Sequence, residues 1–417
     1  MIYFPFFYFL VLLCYYSIRY KIFSIGSILL ILYTLSSFCS IVLYNLEFLT
    51  YRDSDIKIES CIYYCGILTL FFLPFFYKNN GFLFNRDKTN HKLFGIISKS
   101  LIIINVVAIL CSLQFILFVF THNPGSFKID AASTLSNLGY SIGPFESLGF
   151  TLLGYFSGFY IVLLVFFFYS LIFYKNSRKL SFLLLISSMT PIVNGMRVGG
   201  RVQMTYWILI FFSCYIFFKN QLPASEKKYI RKTSMVVFLI FILYFASITI
   251  SRFSDSYSFG NGQGEITSII VYLGQPFINF NNLFSEYDFN QINLARIFPI
   301  TYDIFSNYRF DLEIYRQTMP FDSTLFYGFL GDFVFDVGVV GTIIYVIGYL
   351  FVSFTIKHMK IRGSYELYQI LIFFLLLQIP LHGLFFYSIW NKTATIPVGG
   401  TIVISALLFV NRNRYEG

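Results

Sequence analysis

Of 417 residues, 57% are hydrophobic and 22% aromatic, while only 12% are charged, with a formal net charge of +10. A soluble chain of this size has no interior large enough for that much apolar surface, so the solvent is lipid; the alternation of a transmembrane β-barrel, in segments of ~10 residues, is absent. The basic residues fall between the apolar runs, so the positive charge reports membrane topology rather than a nucleic-acid surface.

The pattern predicts an all-α polytopic membrane protein, a single integral domain over 1–417 with about 11 transmembrane helices. The expected spans are 2–18, 22–44, 60–77, 96–120, 148–173, 180–196, 202–218, 234–251, 326–354, 366–389 and 394–411. The apolar N-terminus has no positive residue ahead of it, and Arg19 and Lys21 follow it, so it reads as a retained span rather than a signal peptide. With Arg19 and Lys21 inside, the inner connections hold 20 Lys and Arg against 4 Asp and Glu, and the outer ones 10 against 16. That bias predicts an outer N-terminus and an inner, cytoplasmic C-terminus.

In chain order, the first outer loop carries Arg52-Asp53-Ser54-Asp55. Its Asp-x-Asp reads as a solvated acidic loop, with a metal-assisted glycosyltransferase site as the alternative. Six cysteines lie in or beside apolar runs without metal spacing to the four histidines, and Cys61 and Cys65, one helical turn apart, read as packing. A medium outer loop, 121–147, contains Gly143-Pro144.

The stretch from Ser187 to Arg201 links two apolar runs with almost no room for a loop, and sets Arg197 and Arg201 four residues apart beside Gly195, Gly199 and Gly200. A guanidinium at membrane depth costs at least roughly 2.5–3.5 kcal/mol. Such a charge either snorkels to the headgroups or meets an anion. Two of them, on the side poor in positive charge, point to the anion.

The largest outer connection, 252–325, is long enough for a small extramembrane subdomain. Its Arg252, Arg296, Arg309 and Arg316 read mainly as surface charge, with Arg252 and Arg316 candidates for binding a diphosphate or glycan. Gly260-Asn261-Gly262-Gln263-Gly264 is a turn, not a phosphate loop, since no strand precedes it. Residues 266–284 predict an amphipathic helix, on the outer leaflet or folded into the bundle, whose Gln275 and Asn279 are candidate glycan contacts.

In the run Tyr327 to Gly341, Asp332 and Asp336 share one helix face near its N-terminus. They read as helix-start electrostatics, or as a pair that orients a substrate hydroxyl or holds arginines in place. His382 lies in an apolar span behind Pro380, as a packed group or a catalyst. No HExxH, Walker lysine motif or nucleophile elbow occurs.

The arginine pair at 194–201, the long outer loop and the Gly-Asp-x-x-x-Asp-x-Gly-x-x-Gly run at 331–341 resemble the oligosaccharide repeat-unit polymerases of the O-antigen polymerase type. Arg252 to Gly264 and Arg316 to Gly328, each with eleven residues between, depart by one from the family's Arg-x10-Gly stretches, and they share one large loop rather than two. The resemblance implies joining of oligosaccharides carried on undecaprenyl diphosphate at the periplasmic face, for O-antigen or capsular polysaccharide. It implies no cofactor, and a chain-length regulator protein as a partner beside the lipid bilayer. Arginine would stabilise the departing diphosphate, so no metal is required, and Asp332, Asp336 or His382 would serve as general base. An O-antigen ligase-like enzyme, sharing the donor, and a polysaccharide flippase remain the alternatives. Spans nearly free of charge favour chemistry at one face over transport.

Overall fold

A computed structural model describes residues 1–20, 24–46, 55–76, 83–84, 89–121, 140–174, 178–197, 200–253, 265–286, 294–305, 326–358, 364–389 and 392–412. Its first helices are α1 (Tyr3–Tyr20), α2 (Ile25–Asn45), α3 (Ile58–Phe72), α4 (His91–Thr121), α5 (Pro144–Phe156) and α6 (Tyr160–Phe173). They are followed by α7 (Arg178–Ser187), α8 (Thr190–Arg197), α9 (Val202–Phe218), α10 (Ala224–Phe253) and α11 (Glu265–Glu286). The last are α12 (Pro299–Phe305), α13 (Gly328–His358), α14 (Leu367–His382) and α15 (Lys392–Val410). Among the described residues the only strands are β1 (Leu83–Phe84) and β2 (Ser364–Tyr365), a two-residue parallel pair.

Among the described residues, seven helical stretches are long and apolar enough to cross a membrane: 25–45, 58–75, 91–119, 144–173, 178–197, 328–356 and 393–410. Three shorter apolar helices cover 3–19, 202–218 and 367–382. The protein is therefore an all-α, multi-pass membrane protein. The expected span 234–251 lies within α10, which begins earlier, at Ala224, so the basic run Lys227–Lys232 is helical rather than loop.

The chain packs as two units, and several of its long helices need side chains to complete their backbone bonding. The first unit comprises Met1–Asn80, Ile266–Lys360 and Phe373–Thr395. Here α11 is folded into protein, not laid on a surface: Phe277, Ile278 and Phe280 are fully buried. Ser36 and Ser40 of α2 donate to its Leu273 and Gly274 carbonyls at 2.7 and 2.6 Å, just before Pro276. Pro380 in α14 removes the N–H that would bond the Leu376 carbonyl, and the Tyr349 hydroxyl of α13 lies 3.3 Å from that oxygen.

A break divides α13. Gly338 adopts φ 72° and ψ 177°, a region open essentially to glycine alone, so the helix is two segments, 328–337 and 339–358. Irregular backbone in such an apolar stretch survives where protein surrounds it and supplies partners. Thr342 Oγ1 donates to the Gly338 carbonyl at 2.8 Å, and Tyr63 Oη to the Val339 carbonyl at 2.9 Å. At the other end of the first segment, the N–H groups of Gly328 and Phe329 bond the carbonyls of Phe385 and Gly383.

The second unit comprises Gly81–Glu265, Ile361–Ile372 and Ile396–Gly417. The α6 helix is its most buried element, with Val162 to Phe168 nearly or fully enclosed. The run predicted as one span over 180–196 is α7 and α8, separated by a turn at Ser188 and Met189. Trp207 of α9 fixes that turn, its Nε1 donating to Ser188 Oγ at 3.1 Å.

Candidate functional site

In the first unit, Asp332 and Asp336 lie on one face of the first segment of α13, and both are fully buried. The cation beside Asp332 is Arg296, whose Nη2 lies 2.8 Å from Asp332 Oδ1 and whose Nη1 donates to Tyr327 Oη at 2.8 Å. Asp336 Oδ2 accepts the backbone N–H groups of Arg296 and Ile297 at 3.1 and 2.8 Å. Asp332 Oδ2 accepts the N–H of Tyr387. Leu294, at φ 58°, starts the turn that carries Arg296 inward.

This corrects one expectation. Arg296 is 8% exposed, a buried partner rather than a surface charge of the long loop. The Asp332–Asp336 pair does hold an arginine, and it is Arg296; Arg197 and Arg201 belong to the other unit. The missed signal was local: Leu294-Ala295-Arg296-Ile297-Phe298 is an apolar patch within a polar connection. A charge in such a patch is buried together with it.

A general base must reach a substrate proton. Asp332 and Asp336 are fully buried and His382 is 1% exposed, and both carboxylates already bond Arg296 or backbone N–H groups. Their geometry is that of a buried charge cluster joining segment 294–297 to α13. Gln275 and Asn279 are buried too, and Asn279 Nδ2 donates to the Phe326 carbonyl at 2.8 Å. Arg252 lies in the last turn of α10, while Arg316, Arg309, Asp53 and the 260–264 turn lie outside the described residues. Asp55 is exposed, and its carbonyl accepts from Asn281 Nδ2 at 2.9 Å.

In the second unit, the ends of α4 and α8 and the start of α5 meet. Arg197, the last residue of α8, is half-buried, with its guanidinium carbon 4.7 Å from the centre of the Phe150 ring on α5. Phe115 of α4 packs edge-on against Phe150 and Tyr140, at 4.8 and 5.8 Å between centroids. Phe118 stacks on Tyr140 at 3.9 Å. Arg201 stands at the position before α9, its carbonyl accepting the Thr205 N–H at 3.2 Å, and its side chain makes no bond to the helix start. The turn between α8 and α9 closes through the Gly200 N–H on the Gly195 carbonyl at 2.8 Å, and Tyr244 Oη donates to the Gly200 carbonyl at 2.8 Å. Gly195 thus has a structural reason as well: a Cβ there would lie 3.1 Å from both Gln203 Oε1 and the Gly200 carbonyl oxygen.

Among the described residues no carboxylate pairs with Arg197, and its Nε is buried without a hydrogen-bond partner. The acid on the facing helix is Glu146, one turn before Phe150, and its oxygens are taken. Oε2 accepts the Gly143 N–H at 2.9 Å, completing the start of α5 behind Pro144, and Oε1 accepts the Tyr140 hydroxyl. Burial, followed by that bond and the Glu146 charge, pushes the Tyr140 phenol up to about 12, so it is protonated at neutral pH. Glu146, Tyr140 and Phe150 are not singled out from sequence, where Gly143-Pro144 is only part of the 121–147 loop; the Glu two residues after that proline is the available signal for a capped helix start.

Chemically, this end of the unit offers a guanidinium that no carboxylate among the described residues compensates, set on an aromatic cluster beside a buried carboxylate bonded to a half-buried phenol. Among the described residues, no group of three or more His, Cys, Asp or Glu is arranged to hold a metal ion. Comparison of the chain with protein-family models, with curated proteins and with solved structures finds no match.

Proposed function

We propose that this protein is a membrane glycosyltransferase that polymerises undecaprenyl-diphosphate-linked oligosaccharide repeat units into O-antigen or capsular polysaccharide at the periplasmic face of a bacterial inner membrane. In this reading the chain crosses the membrane eleven times, the three shorter apolar helices and α10 included. The Lys and Arg bias puts the N-terminus, and the α4, α5 and α8 ends that carry Arg197, on the outer side.

The observation that carries the reading is Arg197: a half-buried guanidinium at the end of an apolar helix, packed on Phe150 and, among the described residues, paired with no acid. A charge in that position costs free energy unless an anion arrives to meet it. A lipid-linked diphosphate reaches this depth from the membrane itself, because its polyprenyl chain lies among the acyl chains and its charge at their boundary. As the acceptor sugar hydroxyl attacks the anomeric carbon, negative charge grows on the departing diphosphate. A preorganised planar guanidinium stabilises that charge more strongly than the ground state, which is the condition for catalysis. Arg201, four residues on in the sequence, is the second arginine that this reading assigns to the donor.

The test is incubation of the purified protein with an undecaprenyl-diphosphate-linked repeat unit. Release of undecaprenyl diphosphate with a ladder of two, three and more repeats is expected. Absence of release, or a single transfer to another acceptor without chain growth, would refute polymerisation.

A further inference from the structure

Resting on the glycosyl-transfer reading above, we propose that Tyr140 and Glu146 are its proton-accepting pair, with the acceptor sugar hydroxyl giving its proton to the Tyr140 oxygen as Tyr140 passes its own to Glu146. The step balances. The acceptor O–H bond breaks, and its oxygen forms the new bond to the anomeric carbon. The bond from that carbon to the diphosphate breaks, and its electron pair leaves with the diphosphate. One proton ends on the Glu146 carboxylate, and it returns to solvent through the same phenol.

Three observations carry this assignment. First, the helix start needs only one oxygen of Glu146: Oε2 serves the Gly143 N–H, whereas the bond from Tyr140 to Oε1 is additional to the cap. Second, the two groups differ in access. Glu146 is 5% exposed and meets substrate only through a relay, while Tyr140 is half-buried and its phenol oxygen, having donated its proton inward, keeps lone pairs to accept another. No cation pairs with Glu146 among the described residues, so the Tyr140 hydroxyl is the donor that faces its Oε1. Third, the pair is mounted with Arg197. Phe115 touches the rings of both Tyr140 and Phe150, and Arg197 lies over Phe150. A group for the departing diphosphate and a group for the incoming proton therefore share one aromatic cluster. Asp332, Asp336 and His382 lack that access, being 0 to 1% exposed.

Glu146→Gln separates this role from capping, because glutamine at the third helical position bonds the cap N–H as glutamate does. Tyr140→Phe keeps the ring on Phe118 and Phe115 and removes only the relay. With the purified full chain and an undecaprenyl-diphosphate-linked repeat unit, both variants should keep KM within about twofold and lose roughly 10²–10⁴ in kcat. The double variant should be no slower than either single one, since the two groups act in series. Wild-type kcat in either variant would overturn the proposal, and so would a raised KM at unchanged kcat, which would make Tyr140 a stacking surface only. Failure of the glycosyl-transfer reading itself would show separately, as a wild-type protein that turns over no substrate.

Discussion

Replacing Arg296 by methionine keeps the volume of its stem and removes the only guanidinium bonded to Asp332 among the described residues. The fully buried Asp332 then retains the Tyr387 N–H, and Asp336 retains the backbone N–H groups of residues 296 and 297, but the Asp332 carboxylate has lost the guanidinium beside it. Breaking a buried pair by removing one partner costs about 3–5 kcal/mol, because the other charge is left uncompensated. Arg296→Met should therefore lower the thermal unfolding midpoint of the detergent-purified protein by several degrees. Adding Asp332→Asn should recover most of the loss, since the neutral amide still accepts the Tyr387 N–H and no longer needs a counter-charge. Unfolding of Arg296→Met within a degree of wild type, or a double variant no better than the single one, would refute the buried-cluster account.

Gly338→Ala places a side chain at φ 72° and ψ 177° and should cost about 1–3 kcal/mol, read as a lowered midpoint, whereas Gly348→Ala, where nothing lies within 4 Å of the added carbon, should be neutral. Tyr349→Phe removes the hydroxyl beside the Leu376 carbonyl freed by Pro380, and should cost about 1–3 kcal/mol in the same assay. A phosphatase reporter fused after Gly417 should be inactive and a fluorescent one bright, as the charge bias requires; active phosphatase there would reverse the orientation and move Arg197 to the cytoplasmic side.

Much of the helical framework was legible because lipid imposes a simple rule: long apolar runs must satisfy their own backbone, and only helices do so within one segment. The helix read at 266–284 is present at Glu265–Glu286, but its fate was ambiguous, since asparagines that could face water could equally bond neighbouring backbone. Asn281 does the latter, with Lys57 N–H at 3.0 Å and the Asp55 carbonyl at 2.9 Å. The break at Gly338 left no trace, because the valines around it keep the run apolar and glycines at 338 and 341 suit close helix packing equally well. The shared face of Asp332 and Asp336 followed from their spacing of four. Their partner did not, since Arg296 lies thirty-six residues earlier in a connection whose path only tertiary structure reveals. Glu146 was hidden in the same way: a helix start explains its presence, and its bond to Tyr140 depends on how the preceding turn folds.

The central claim is that Arg197 meets a diphosphate, and comparison of Arg197→Lys with Arg197→Ala tests it most directly. Lysine keeps the charge but loses the planar fork and its seat on Phe150. One charge-assisted contact to a developing anion contributes about 2–4 kcal/mol, or roughly 10²–10³ in rate. Turnover of an undecaprenyl-diphosphate-linked repeat unit, measured at matched folded protein, should fall by that factor in the alanine variant. The lysine variant should bind substrate better than alanine and still turn over more slowly than wild type. A mere interfacial anchor would tolerate lysine freely, because lysine reaches the headgroups equally well. Wild-type turnover and polymer length from Arg197→Lys would contradict the account.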